Sequence, residues 1–336
     1  MDYNGDSGGA GLSLPTAPGA NEDTALARPA PRASAGLRWF AVATVFVLYA
    51  VVVLGFLDTA TNSALGCGRS FPLCDGRFLP APTFTSVIEW THRVVSAFAG
   101  VLVLALVAWA WIEAGTSRHV RLLGLIGLGF LVIESAVGAA AVLAPEPDAL
   151  VALHLGIALT SFGATAALMV ALWRPPSASG ARTLPRTMRR YLWAIVLFTY
   201  AVVYLGALVA QMRAGTACGG WPLCQGALVP THFTWPVTVD FAHRLVALAA
   251  LFVFWAQTRL LRGVRNTHPN LYRAAHLAFG LVLLTALSGG YLALTHIALT
   301  PTLIHVGLIT LLFGAEAYLC AFATPDGAAA PSGGAA

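Results

Sequence analysis

Four histidines in this sequence are related by one constant interval, and imidazole is the side chain that most often binds a metal. Each of the four lies near the start of a long apolar run, and equivalent histidines are 151 residues apart: His92 with His243, and His154 with His305. Two imidazoles on two helices of one bundle can bind opposite faces of a haem iron. The spacing therefore predicts two similar sites, each with two histidine ligands, His92 with His154 and His243 with His305.

An acidic and a basic residue accompany the first histidine of each site at fixed spacing. The two segments are Glu89-Trp90-Thr91-His92-Arg93 and Asp240-Phe241-Ala242-His243-Arg244. Three-residue spacing places acid and imidazole on one helix face. Glu89 is interpreted as a group that handles protons or stabilises a cationic intermediate, with a helix-terminal acid as the alternative; for Asp240 the latter is preferred. Arg93 and Arg244 are expected to pair with haem propionates, or to extend outward to the membrane surface.

Two cysteine pairs repeat in the same way. Cys67 and Cys74 are seven residues apart, Cys218 and Cys224 are six apart, and both pairs lie in loops that contain glycine and proline. Disulfides form on the oxidising side of a membrane. Each pair is interpreted either as a staple that shapes its loop or as a thiol–disulfide couple beside a cofactor. Cys320, in the last apolar run, is expected to be a packing residue.

The composition is that of an integral membrane protein. Of the 336 residues, 58% are hydrophobic and 10% are charged, whereas soluble domains carry about 25% charged residues. A spanning helix needs roughly 20 apolar residues, and eight such runs occur. They cover about 40–57, 87–112, 122–143, 150–173, 191–210, 238–260, 274–295 and 301–322. The predicted fold class is therefore all-α, with eight transmembrane helices.

The arginines predict the orientation in the cell (plasma) membrane. The chain has no lysine, and its arginines lie mostly in short connections, which disfavours nucleic-acid binding. Fourteen arginines fall in the tail before the first run and in the 2–3, 4–5 and 6–7 connections, against three in the connections on the other side. Because basic residues stay in the cytoplasm, both termini are expected there, and both cysteine loops outside.

The repeat predicts two halves. Each half holds four spans, an even number, so the second half enters the membrane in the same direction as the first. Two parallel four-helix bundles related by a pseudo-twofold axis along the membrane normal are expected. The predicted halves are 38–173 and 191–322, joined by a cytoplasmic linker at 174–190. Residues 1–37 and 323–336 are expected to be disordered cytoplasmic tails.

Haem is favoured over the other interpretations of these histidines. One zinc ion would need ligands from both halves to converge, and a lone membrane histidine that only bonds a neighbouring helix would not recur at a fixed interval. The other histidines are expected to be solvated or interfacial: His119, His232, His268, His276 and His296. Glu134 lies in mid-span, and the sequence identifies no partner for it.

Together these features resemble the haem A synthase family from about residue 38 to 322. The resemblance rests on eight spans in two halves, the Glu-x-x-His-Arg segment of helix 2, matched histidines in helices 2, 4, 6 and 8, and the outer-loop cysteine pairs. It implies oxidation of the C8 methyl group of haem O to a formyl group. Two successive hydroxylations and loss of water would give this product. The resemblance also implies that the first half holds substrate haem O and the second a haem b that passes electrons.

The resemblance further implies roles for individual residues and partners. Glu89 matches the family's catalytic glutamate, and Cys67 and Cys74 match cysteines implicated in its activity. The implied partners are the lipid bilayer, haem O, an unidentified electron donor, haem O synthase and oxidase assembly factors. Two rival classes stay open. A dihaem cytochrome that oxidises quinol would need no Glu89 and would bind the same haem b twice; a haem transporter or chaperone would hold no stable haem b in the second half.

Overall fold

The regular structure of the described chain is helical, as the apolar runs predict. A computed structural model describes residues 1–2, 33–113, 118–144, 148–173 and 184–323. Its eight long helices are α1 Ala35–Ala60, α2 Phe84–Glu113, α3 Arg118–Leu143, α4 Asp148–Trp173, α5 Arg186–Gln211, α6 Trp235–Leu261, α7 Pro269–Leu294 and α8 Leu299–Ala323. All eight contain stretches long and apolar enough to cross a membrane. The all-α, eight-span prediction is confirmed.

Most helices extend a few residues beyond the apolar runs. Backbone hydrogen bonding continues through polar residues at a membrane surface, so an apolar run marks only the inner part of a helix. As a result α2 begins at Phe84 rather than near Val87, and α5 begins at Arg186, inside the predicted 174–190 linker. The rest of that linker to residue 183, and most of both predicted tails, lie outside the described residues.

The helix contacts follow the same pattern in both halves of the sequence. In the first half, α1 and α3 each pack against α2 and α4; in the second half, α5 and α7 each pack against α6 and α8. The histidine-bearing helices of each half, α2 with α4 and α6 with α8, are diagonal to each other and are not among the closely packed pairs of the described chain. Between the halves, α4 packs on α5 and α8, and α1 packs on α8. The pseudo-twofold axis stays a prediction.

Equivalent residues of the two halves meet along the seam between them. The Tyr49 hydroxyl of α1 lies so close to Gly307 of α8 that a Cβ at this position would clash with it. The Tyr200 hydroxyl of α5 approaches Gly156 of α4 in the same way. Tyr49 and Tyr200 are 151 residues apart, as are Gly156 and Gly307. The seam is therefore built from the same contact made twice, once in each direction.

Apolar side chains cover the outside of the helices as well as the core. Leu106, Leu192 and Phe254 are fully or almost fully buried, whereas Phe98 and Phe252 lie exposed in mid-helix. Exposed aromatic side chains at such positions are expected where the surrounding solvent is lipid. This outer surface agrees with a multi-pass membrane protein.

Candidate functional site

The structure brings the predicted histidines together as two pairs. His92 and His243 lie eight residues after the first residue of their helices, and His154 and His305 lie six residues after theirs. These offsets correspond to about 12 Å and 9 Å along the helix axis from the start of each helix. His92 is within electrostatic range of His154, and His305 of His243. Each half thus places one imidazole from each of two diagonal helices near the other.

A glycine on the preceding helix receives each of the four imidazoles. A Cβ added to that glycine would meet the Cε1 atom of the ring at 2.8–3.2 Å, closer than ordinary van der Waals contact. The pairs are Gly55 with His92, Gly138 with His154, Gly206 with His243, and Gly289 with His305. The glycines are themselves 151 residues apart, Gly55 to Gly206 and Gly138 to Gly289. The recurrence of these glycines at the 151-residue interval is visible in the sequence, but we did not use it to predict the sites.

The surroundings of the imidazoles fit a haem. All four rings are only partly buried although they lie within apolar helices, so there is open space beside them. The buried Nδ1 atoms of His92 and His154 have no hydrogen-bond partner among the described residues. Within that part of the chain no group of three or more histidine, cysteine or acidic residues could hold a metal ion. Two nitrogen ligands between apolar walls suit a haem iron better than zinc.

The second ligand of each pair is held differently in the two halves. In the second half, Nδ1 of His305 lies 2.9 Å from the Ser288 hydroxyl of α7, which leaves Nε2 for a metal. In the first half, Nε2 of His154 itself lies 3.1 Å from Oε1 of Glu134 on α3. Glu134, for which the sequence identified no partner, therefore contacts a predicted iron ligand directly.

Glu89 connects α2 to the first cysteine loop. The residue is 2% exposed; its Oε2 accepts a 2.6 Å hydrogen bond from the Cys67 backbone N–H, and its Oε1 pairs with the Arg93 guanidinium. Arg93 in turn donates to the carbonyl oxygens of Ser70 and Leu73, at 2.8 and 3.0 Å. A buried carboxylate and guanidinium thus fix the loop above His92.

The same network recurs in the second half. Asp240 accepts from the Cys218 backbone N–H at 3.2 Å and from Nε of Arg244 at 3.0 Å. Arg244 donates to the carbonyl oxygens of Gly220 and Leu223, at 2.6 and 3.3 Å. Both arginines therefore bind loop carbonyls, and their predicted contact with haem propionates stays a prediction.

Both predicted disulfides are present. The sulfur atoms of Cys67 and Cys74, and those of Cys218 and Cys224, are at bonding distance. In each loop the second cysteine forms an isolated backbone bridge, to Arg77 or to Ala227. Each bridged turn carries glycines at positive φ, where a side chain would be strained. The disulfides therefore belong to compact, duplicated caps over the two histidine pairs.

The first half carries carboxylates that the second half lacks. Buried Asp58 interacts electrostatically with Glu89 and Arg93, and its Oδ1 has no hydrogen-bond partner among the described residues. The residues at the 151-residue interval differ in size or charge: Asp58 corresponds to Val209, Glu89 to Asp240, and Glu134 to Thr285. At two of these three positions, 58 and 134, the first half therefore has a carboxyl group where the second half has an uncharged side chain.

The other polar residues lie away from these pairs. His232, His276 and His296 are exposed, as expected, and Nδ1 of His268 lies 3.0 Å from the Thr267 hydroxyl. Cys320 is buried in α8, as a packing residue would be. His119, near the start of α3, is half-buried.

One buried polar pair in the second half was not predicted from the sequence. Oε1 of Glu316 on α8 accepts a 3.3 Å hydrogen bond from Nε2 of Gln257 on α6, and both residues are at most 1% exposed. Glu316 lies eleven residues after His305 in the chain, about 16 Å farther along the helix. The apolar pattern of the sequence did not predict this pair, because Glu316 lies within a run that is otherwise apolar.

Comparisons with known proteins identify the family of the chain. Residues 38–316 match the COX15-CtaA family, described as cytochrome oxidase assembly protein. A protein named "Heme A synthase" from Symbiobacterium thermophilum is 36% identical over 301 residues, covering 87% of this chain and 96% of that protein. Proteins of the same name from Geobacillus kaustophilus and Bacillus licheniformis are 38% and 34% identical, covering 84% of this chain and 90% and 94% of their own lengths.

Proposed function

The chain belongs to the COX15-CtaA family of cytochrome oxidase assembly proteins, and on that premise we propose that it is a haem A synthase. The substrate is haem O, and the reaction oxidises its C8 methyl group to a formyl group. The observation that carries the proposal is the set of four imidazoles in two pairs, each ring seated against a glycine of the neighbouring helix. The curated relatives with this name cover most of the chain at 34–38% identity.

The two halves are assigned different roles. We assign substrate haem O to His92 and His154, because in their half Asp58 lies near Glu89 and Glu134 contacts His154, whereas the equivalent residues of the second half are Val209 and Thr285. We assign a resident haem b to His243 and to His305, whose Nδ1 is anchored by a serine. A histidine whose second nitrogen is hydrogen-bonded is held in one orientation and makes a more basic ligand. When bound, haem b supplies reversible one-electron chemistry at its iron.

The protein side chains supply binding, orientation and a dry cavity. Apolar helices surround both pairs and suit the farnesyl tail of haem O, which can reach lipid between them. Glu89 is proposed as the catalytic carboxylate, one helical turn from His92. Its bonds to Cys67 and Arg93 hold it at the capping loop, where a buried carboxylate can hold or move a proton near the porphyrin edge. The Cys67–Cys74 disulfide fixes the shape of that loop.

The proposed placement in the cell follows from the arginines. Eight helices can cross the membrane, and the excess of arginine on one side supports a cytoplasmic location for both termini. The two disulfide loops then face the oxidising side, where such bonds persist. The electron donor, haem O synthase and oxidase assembly factors are proposed as partners.

Co-expression with a haem O synthase in a strain without its own haem A synthase tests the proposal. Haems extracted from the membranes are separated by chromatography, and haem A is expected in the wild type but not in His92→Ala. Haem b as the only pigment, together with quinol oxidation, would instead indicate an electron-transfer cytochrome. Purified protein without stable haem b in its second half would favour a haem transporter or chaperone.

A further inference from the structure

We propose that Glu134 is a reversible partner for the iron ligand His154, and that it holds this imidazole when the ligand leaves the substrate haem. The inference rests on the proposed function and deepens it. It starts from a difference between the halves: Nε2 of His154 faces Oε1 of Glu134 at 3.1 Å, whereas His305 is held through Nδ1 by Ser288 at 2.9 Å.

The contact with Glu134 and a bond to iron exclude each other. Both use the same lone pair or proton position of Nε2, so His154 can have only one of the two partners at a time. Nδ1 of His154 has no hydrogen-bond partner among the described residues. Nothing on its far side therefore fixes the ring to the iron, as Ser288 does for His305.

The residues that correspond to Glu134 and Ser288 in the opposite halves support this difference. The second half has Thr285 in place of Glu134, and the Thr285 hydroxyl donates to the carbonyl oxygen of Leu281 in its own helix. The first half has Val137 in place of Ser288, and valine cannot bind Nδ1. Each half therefore has one of the two devices: an anchor in the second and a competing carboxyl group in the first.

Ligand release would matter only in the first half. An iron with two histidine ligands would have no position for a further ligand, so an oxidation that uses the iron of haem O would require one histidine to leave. His154 would then exchange its bond to iron for an Nε2–Oε1 hydrogen bond with Glu134. The proton stays within the pair: Glu134 carries it while Nε2 is on iron and shares it with Nε2 after release. No electron moves.

Glu134 is only partly exposed. Its side chain is 14% exposed, that of His154 is 29% exposed, and Oε2 of Glu134 is buried without a hydrogen-bond partner in the described chain. A carboxyl group with one unused buried oxygen is costly in an apolar bundle. A residue kept at such a cost is expected to have a function. Glu134 acts through His154 and is thus a positioning residue.

The test compares wild type with Glu134→Thr, which installs the residue of the other half, and with Glu134→Gln. Purified proteins loaded with haem O are reduced, and carbon monoxide is added as a probe of the open iron position. Loss of the carboxyl partner should lower the carbon monoxide-reactive fraction of haem O by about tenfold, because the released imidazole would lose its buried hydrogen-bond donor. Glu134→Gln, whose amide NH2 group can still donate to Nε2, should fall between the two.

The direction of the effect decides between this role and a simpler one. If Glu134 only orients His154 for iron binding, its removal should weaken haem O binding and raise carbon monoxide reactivity. A rise or no change in both variants would overturn the inference, and continued haem A formation would show that the proposed function still stands. Ser288→Ala is the matched control: it should raise reactivity at haem b and leave haem O unaffected.

Discussion

Replacing Gly206 by alanine should displace His243 from haem b, and the size of the effect follows from one distance. The added Cβ would lie 2.8 Å from Cε1 of the imidazole, whereas carbon atoms in contact prefer about 3.5 Å or more. The ring must therefore retreat by roughly 0.7 Å. A metal–ligand bond tolerates deviations of only about 0.2 Å, so the ligand cannot keep its bond to iron without strain.

The expected loss of affinity comes from overpacking. Adding a methyl group to a filled site typically costs about 1–3 kcal/mol, which corresponds to a roughly 5- to 150-fold weaker affinity for haem b. Gly289→Ala should have a smaller effect, because its Cβ would lie 3.1 Å from Cε1 of His305 and a shift of a few tenths of an ångström relieves it. The order of the two variants is part of the prediction.

Haem titration followed by the absorption spectrum of the reduced protein measures the effect. Gly280→Ala on α7 is the matched control, since its Cβ would meet no atom within 4 Å. It should bind haem b like the wild type and gain about 1 kcal/mol from the better helix propensity of alanine. An unchanged low-spin spectrum and affinity in Gly206→Ala would refute the claim that the glycine is there to admit the imidazole.

Three further predictions concern the division of labour between the halves. His243→Ala should lose the resident haem b, while His92→Ala should keep it and stop turnover; a normal haem b spectrum in purified His243→Ala would show that the halves are wrongly assigned. Glu89→Gln should lower haem A output by about a hundredfold with haem binding retained, and Asp240→Asn should lower it less; equal losses would mean that both acids only secure their loops. Asp58→Val, which installs the residue of the second half, should stabilise the protein by about 1–3 kcal/mol in thermal unfolding and reduce output, and a less stable variant would contradict the view that this carboxylate is kept for function.

The fold was largely predictable because a bilayer imposes a simple rule. Each span must be a helix of about 20 apolar residues, so the apolar runs of the sequence were enough to locate α1 to α8. Helix ends were less predictable: Arg186 is polar and still helical. This is because backbone hydrogen bonds, not side-chain hydropathy, decide where a helix stops.

The sites were predictable only as far as the repeat carries them. The 151-residue interval identified the histidines, and it also relates Gly55 to Gly206. Which ring nitrogen faces which neighbour depends on contacts between helices, so the partnership of Glu134 with His154 required three-dimensional coordinates. The difference between Glu134 and Thr285 was nevertheless visible in the sequence. A carboxyl group in one copy and a hydroxyl group at the equivalent position of the other indicate a change of role.

The tyrosine–glycine contacts along the seam have an evolutionary consequence. A chain of only one half would carry both the tyrosine of its first helix and the glycine of its fourth helix that receives it. Two copies could then join with each tyrosine inserted into its partner, which is the reciprocal arrangement of a symmetric homodimer. Arg213 and Asn62, equivalent positions joined by a 2.5 Å hydrogen bond, would have faced their own counterparts in such an ancestor. Fusion of the two genes would then have allowed each copy to take one of the two proposed roles.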